Sequence, residues 1–161
     1  MRHLIECFDF YDSLPELIGK SINVETALWF HDFIYEPLKR DNEEQSIIRM
    51  RRYLFGYSNY AIENLILATR HNEELKYPPG QLIADVDLWI LASPWERFSK
   101  YEAQVRQEFR FIIDEKFKEG RIAFLNKLLA RDQIYYTPEI KVMLEDKART
   151  NLARSIFNLG K

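Results

Sequence analysis

The sequence predicts an all-α fold, a single-domain helical bundle of about eight helices spanning residues 1–161. Apolar residues recur at spacings of three and four almost everywhere, the signature of helices with one buried face. The five glycines and six prolines fall mainly between these periodic segments, and no strand stands out. With 47% hydrophobic and 14% aromatic residues, a chain of this length closes a core without disulfides or metal staples.

The elements follow in order. The first helix covers His3 to Leu14 and gives way near Pro15 and Gly19, and the second runs from Asn23 to Ile34, stopping before Pro37. A third opens at Asp41-Asn42-Glu43-Glu44, where an N-capping acid precedes first-turn acids that complement the helix dipole, and ends near Gly56. Ser58 or Asn59 caps a fourth that reaches His71, and Tyr77-Pro78-Pro79-Gly80 introduces a fifth running to Ala92. Ser93-Pro94 has the cap-then-proline order that begins helices, so a long sixth is expected to Lys118, broken or kinked at Gly120. A seventh reaches Arg131, and Thr137-Pro138-Glu139 starts the last, which Arg149 and Asn151 are expected to tie down. There are no internal repeats or low-complexity stretches.

Composition narrows the function classes. The 23 basic and 25 acidic residues are spread along the chain and give a net charge of −2, so no nucleic-acid partner is expected. No apolar run approaches transmembrane length, and a membrane partner is not expected either. The single cysteine, Cys7, excludes an internal disulfide and a thiolate-rich zinc site. Together with the lack of a signal-peptide pattern it points to the cytoplasm. An oligomer is compatible with all of this.

The most informative feature is His31-Asp32, set in the otherwise apolar run Ala27-Leu28-Trp29-Phe30-His31-Asp32-Phe33-Ile34-Tyr35. Burying a carboxylate beside an imidazole costs several kcal/mol unless each finds a partner, and a divalent cation satisfies both. His3 shares a helical stripe with Cys7, Phe10 and Leu14; His31 shares one with Val24, Ala27 and Tyr35; Asp87 shares one with Ile83, Ile90 and Leu91. Three ligand types facing inward from three helices can converge on one point. Each also has a plainer explanation: a histidine bonded to a backbone carbonyl, a His-Asp helix-end cap, or Asp85 and Asp87 as first-turn acids of a later helix.

The order His3, His31-Asp32, Asp87 resembles the HD superfamily of metal-dependent phosphohydrolases, and within it a branch described as predicted metal-dependent phosphohydrolases. Further matching segments are Asp41-Asn42-Glu43-Glu44-Gln45-Ser46, Leu67-Ala68-Thr69-Arg70-His71, Asp85-Val86-Asp87-Leu88-Trp89-Ile90-Leu91, Tyr101 with Val105-Arg106-Gln107-Glu108-Phe109, Gly120-Arg121, Ile134-Tyr135-Tyr136-Thr137 and Ala148-Arg149-Thr150-Asn151-Leu152. The likeness covers essentially the whole chain. It implies an HD-domain-like helical fold, with His3, His31, Asp32 and Asp87 as metal ligands and Asp85 either bracing those ligands or on the substrate side. Chains of that branch usually carry a further helical segment and an aromatic-His-Asn stretch before the histidine matching His3; its absence here is expected to mean either a natural start upstream of Met1 or a shortened member. A first ligand two residues from the start is expected to sit in a fraying turn.

The chemistry expected from the resemblance is hydrolysis of a small phosphate ester, with a nucleotide as one candidate, by water activated on a divalent cation. The mixed imidazole and carboxylate set suits manganese, iron, nickel, cobalt or zinc, and magnesium less well. His71 is open to three roles, namely ligand of a second metal, proton donor to the leaving oxygen, or phosphate binder, against the plainer one of a helix-end histidine. Glu43 and Glu44 are candidates to orient water, although capping explains acids there equally well. Arg106 and Arg121 are the cationic candidates for substrate phosphate, because a guanidinium matches phosphate oxygens with paired donors. Tyr53, Tyr57, Tyr60, Tyr101, Tyr135 and Tyr136 offer rings for base stacking, but aromatics at helical spacing belong more often to cores. The alternative function is a weakly active or inactive module of the same shape that binds metal or a phosphorylated ligand.

Overall fold

The computed structural model describes residues 2–56, 58–72 and 74–161. Among the described residues the secondary structure is entirely helical: α1 (Arg2–Ser13), α2 (Ile22–Phe30), α3 (Asn42–Tyr53), α4 (Tyr60–Ala68), α5 (Pro78–Asp87), α6 (Trp95–Glu108), α7 (Asp114–Leu129) and α8 (Pro138–Leu159), with short 3-10 turns at Glu16–Ile18 and Leu88–Ala92. None of these helices is long and apolar enough to cross a membrane. Contacts gather into two compact units, Met1–Asp87 and Leu88–Lys161.

In the first unit α2 is the central element, packed on α4, α5, α1 and α3. Its inward residues Val24, Ala27 and Leu28 are fully buried, as are Cys7 of α1, Ile66 of α4 and Ile83 of α5. Removing that apolar surface from water, at ~25 cal/mol per Å², holds these short helices together, since isolated helices of this length are marginal in water. In the second unit α8 packs on α7, on α6 and on the 3-10 turn that follows α5. Asn151 Nδ2 donates to the carbonyls of Leu91 (2.9 Å) and Ser93 (2.8 Å), and the buried Tyr135 hydroxyl donates to that of Leu88 (3.0 Å). Arg149 donates to the carbonyls of Leu129 and Arg131. Asn151 and Arg149 thus tie α8 to its neighbours, as their positions suggested.

Several helix ends differ from the sequence expectation. α2 stops at Phe30 instead of Ile34 because Ser46 of α3 takes over the next backbone groups: Ile34 N–H donates to Ser46 Oγ at 3.0 Å, and that hydroxyl donates to Ile34 O at 3.3 Å. His31-Asp32 therefore sits at a helix end, and Tyr35 leaves the stripe predicted for it and is half exposed. Asp41 precedes α3 but makes no side-chain cap; its carboxylate accepts from Gln45 Nε2 at 3.0 Å. α4 is capped by Asn59, whose Oδ1 accepts from Ala61 N–H at 3.0 Å, and ends at Ala68, short of His71.

The expected break at Gly120 is also misplaced. Gly120 lies inside α7, and the chain turns over residues 109–113. Arg106 fixes that turn by donating to the carbonyls of Phe109 (2.8 Å) and Ile112 (3.1 Å) while pairing with Asp114 at the start of α7. α8 begins at Pro138, where a proline in the first turn loses no helical hydrogen bond.

Candidate metal centre

Four elements of the first unit deliver polar side chains to one place. The first turn of α1 supplies His3, and the C-terminus of α2 supplies His31 and Asp32. The turn after α4 supplies His71, and the last residue of α5 supplies Asp87. Asp87 is the hub. Its Oδ1 accepts from His3 Nε2 at 2.8 Å, its Oδ2 accepts from His71 Nε2 at 2.8 Å, and His31 Nε2 stands 3.4 Å from Oδ1. Asp32 Oδ2 lies 3.6 Å from His31 Nε2 and 3.9 Å from His3 Nε2. His3, His31, Asp32 and Asp87 are thus brought together as the sequence suggested, and His71 joins them.

Asp87, not Asp85, is the carboxylate that meets the imidazoles. Asp85 is completely buried on α5, whereas the Asp87 side chain keeps 15% of its surface accessible.

His31 is the most buried histidine of the cluster. Its ring is 2% exposed, and Nδ1–H donates to Leu28 O at 2.7 Å, which fixes the tautomer and turns the Nε2 lone pair toward the two carboxylates. That nitrogen is buried and has no hydrogen-bond partner among the described residues. A lone pair aimed at two carboxylates is repulsive unless a positive charge lies between them. A proton supplies it, and a divalent cation would supply it equally, so the residues present fit a cation. The backbone-carbonyl partner on Nδ1 is the arrangement that orients metal-binding histidines.

The electrostatics favour the proton. Burial opposes charge on His31, but Asp87 and then Asp32 outweigh it and push its pKa up to about 9. Burial likewise opposes charge on His3, and Asp87 again prevails, leaving it above the usual histidine value. For Asp87 itself burial is overcome by the three histidines, which hold the carboxyl well below its ordinary range. Loss of water raises Asp32; His31 offsets part of this, and the Asp87 charge adds to it.

His71 reaches the cluster through a left-handed backbone conformation, φ 53°, which only glycine adopts without strain. Beside it Arg70 pairs with Glu43 (Nε to Oε2, 3.3 Å) and with Glu44 at the start of α3, so these acids hold the turn that carries His71. Arg106 and Arg121, the predicted phosphate binders, lie in the second unit. Arg106 braces the turn after α6, and Arg121 of α7 is 9% exposed and paired with Glu102 of α6. Tyr53 and Tyr60 are exposed, Tyr135 is buried, Tyr101 lies against Phe98 and Arg121, and Tyr57 falls outside the described residues.

Two neighbours of the centre were not singled out from sequence. Arg70 carried only a charge before a histidine as its signal, and Cys7 stood on the stripe of His3 without being taken for a donor. Comparisons with protein-family models, with curated proteins and with solved structures returned no match.

Proposed function

We propose that the chain is a metal-dependent phosphohydrolase that releases phosphate from a small phosphate ester, nucleotides being the first class to test. The single observation that carries the metal site is His31 Nε2, which is buried, oriented by its own Nδ1 bond, directed at carboxylates and without a hydrogen-bond partner among the described residues. His3, His31, Asp32 and Asp87 would hold the cation. When bound, such a cation makes water acidic near neutral pH and polarises a phosphoryl oxygen. The reaction class rests on that donor set and on the resemblance of its order to HD-type phosphohydrolases.

The protein's own groups have definable tasks. Asp87 orients His3 and His71 by hydrogen bonds and faces His31, and Asp32, half exposed, gives the cluster its open side. His71 Nε2 carries a proton on the Asp87 bond, within the cluster and held in place by its backbone, where it suits delivery to a leaving oxygen. Arg70 keeps that turn against α3 through Glu43 and Glu44.

The test is purification without chelator, determination of bound metal, and a screen of nucleotides and general phosphate esters with Asp32→Ala in parallel. The parent is expected to hold about one equivalent of divalent metal and the variant little, with phosphate release that stops on chelation. Metal without turnover would select a binding module instead. A parent that takes up no metal, and whose Asp32→Ala form is equally stable, would overturn the site.

A further inference from the structure

We infer that Cys7 is a further donor of this centre, a thiolate that makes it prefer soft and borderline divalent cations such as cadmium, zinc or cobalt over manganese and magnesium. The inference rests on the metal reading of the His-Asp cluster and deepens it. Cys7 follows His3 by four residues on α1, so both side chains rise from the same face of one helix. Its Sγ is 3.5 Å from His3 Nε2 and 3.7 Å from Nδ1, and the residue is fully buried. Sγ, a His3 nitrogen and an Asp87 oxygen lie within 4.8 Å of one another, the same spread that relates His3, His31 and Asp32. Two donor triads therefore share His3.

A buried cysteine is by itself only a small apolar side chain. What distinguishes this one is that its neighbour His3 also groups with His31, whose ring is 2% exposed and whose Nε2 has no hydrogen-bond partner among the described residues and stands 3.4 Å from the same Asp87 oxygen that His3 holds. The thiol thus borders a group of nitrogen and oxygen donors that already calls for a cation. On coordination the sulfur–metal bond replaces the S–H bond, and the proton leaves to solvent. Thiolate ligands favour soft and borderline metals, whereas carboxylates and water favour magnesium and manganese.

Cobalt(II) tests this directly, because sulfur-to-cobalt charge transfer absorbs in the near ultraviolet and Cys7 is the chain's one cysteine. The full chain is titrated with cobalt in buffer free of thiol reductants, alongside Cys7→Ser, with equilibrium dialysis measuring bound metal. The expected result is a near-ultraviolet band in the parent that is absent from a variant still binding cobalt. Cadmium affinity should fall at least ~10-fold in the variant while manganese affinity changes little. Cobalt bound by the parent without that band overturns the role of Cys7 and leaves the metal site standing. No cobalt bound by the parent overturns both. Should Cys7→Ser fail to fold, the parent's spectrum and its cadmium-to-manganese preference decide alone.

Discussion

His71 shows a single residue held in an unfavourable conformation for the sake of its side chain. At φ 53° its Cβ is crowded by its own backbone, and the compensation visible in the structure is the 2.8 Å bond from Nε2 to Asp87. Replacing it with alanine or glycine removes that bond in both cases, but only alanine keeps the strained Cβ. His71→Ala should therefore be less stable than His71→Gly by about 1 kcal/mol in chemical denaturation, the reverse of the usual order in helices. Equal stabilities would show that the backbone relaxes. At this scale the sequence was most legible where chemistry was out of place, as with His31-Asp32 in an apolar run. The left-handed turn at His71 was not legible, because nothing local demands it. It follows from α4 ending at Ala68 and from Arg70 being drawn toward Glu43 and Glu44.

Between elements, the clearest polar link is the one joining α3 to α4. Arg51 meets the buried Glu63 with two bonds, Nε to Oε1 at 2.8 Å and Nη2 to Oε2 at 2.6 Å, and the Ser58 hydroxyl donates to Oε1 at 2.9 Å. Arg51 and Ser58 together outweigh burial and hold the Glu63 carboxyl below its ordinary value. Its stabilising contribution is thus fully present above the unfolded glutamate value of 4.5 and is lost as pH falls through the lower folded value. Glu63→Gln should cost about 1–2 kcal/mol near neutrality, less than a fully buried pair because Arg51 is partly exposed, and should flatten the loss of stability on acidification below that value. Urea unfolding across the acidic range measures both; an unchanged slope would remove Glu63 as the titrating group. Helix identity was legible from periodicity, whereas helix ends were not. α2 is stopped by Ser46, 12 residues beyond Ile34, and the turn after α6 is fixed by Arg106, partners that no window of local sequence contains.

Across the whole molecule, every member of the His-Asp cluster belongs to the first compact unit, and both arginines expected to bind phosphate belong to the second. That expectation came from the match between a guanidinium and phosphate oxygens, which depends on residue type but not on what each side chain finds around it. Within the second unit Arg121 is already engaged. Its guanidinium pairs with Glu102, which also accepts from Ser155 of α8 at 2.9 Å, and it lies over the rings of Tyr101 and Phe124 at 5.5 and 5.0 Å. Three helices share this one cation-centred contact, so its removal should act on folding first. Arg121→Ala is expected to lower stability by about 2–3 kcal/mol, because it leaves the Glu102 carboxylate poorly solvated beside Ser155. Changing Glu102 to glutamine in the same chain should recover part of that loss, a coupling of more than ~1 kcal/mol in a double-mutant cycle. A phosphate-binding arginine would behave differently: stability would hold, no coupling to Glu102 would appear, and KM for the phosphate ester would rise with kcat nearly unchanged. Denaturant unfolding of the four chains in the cycle, followed by kinetics on those that fold, separates the two outcomes.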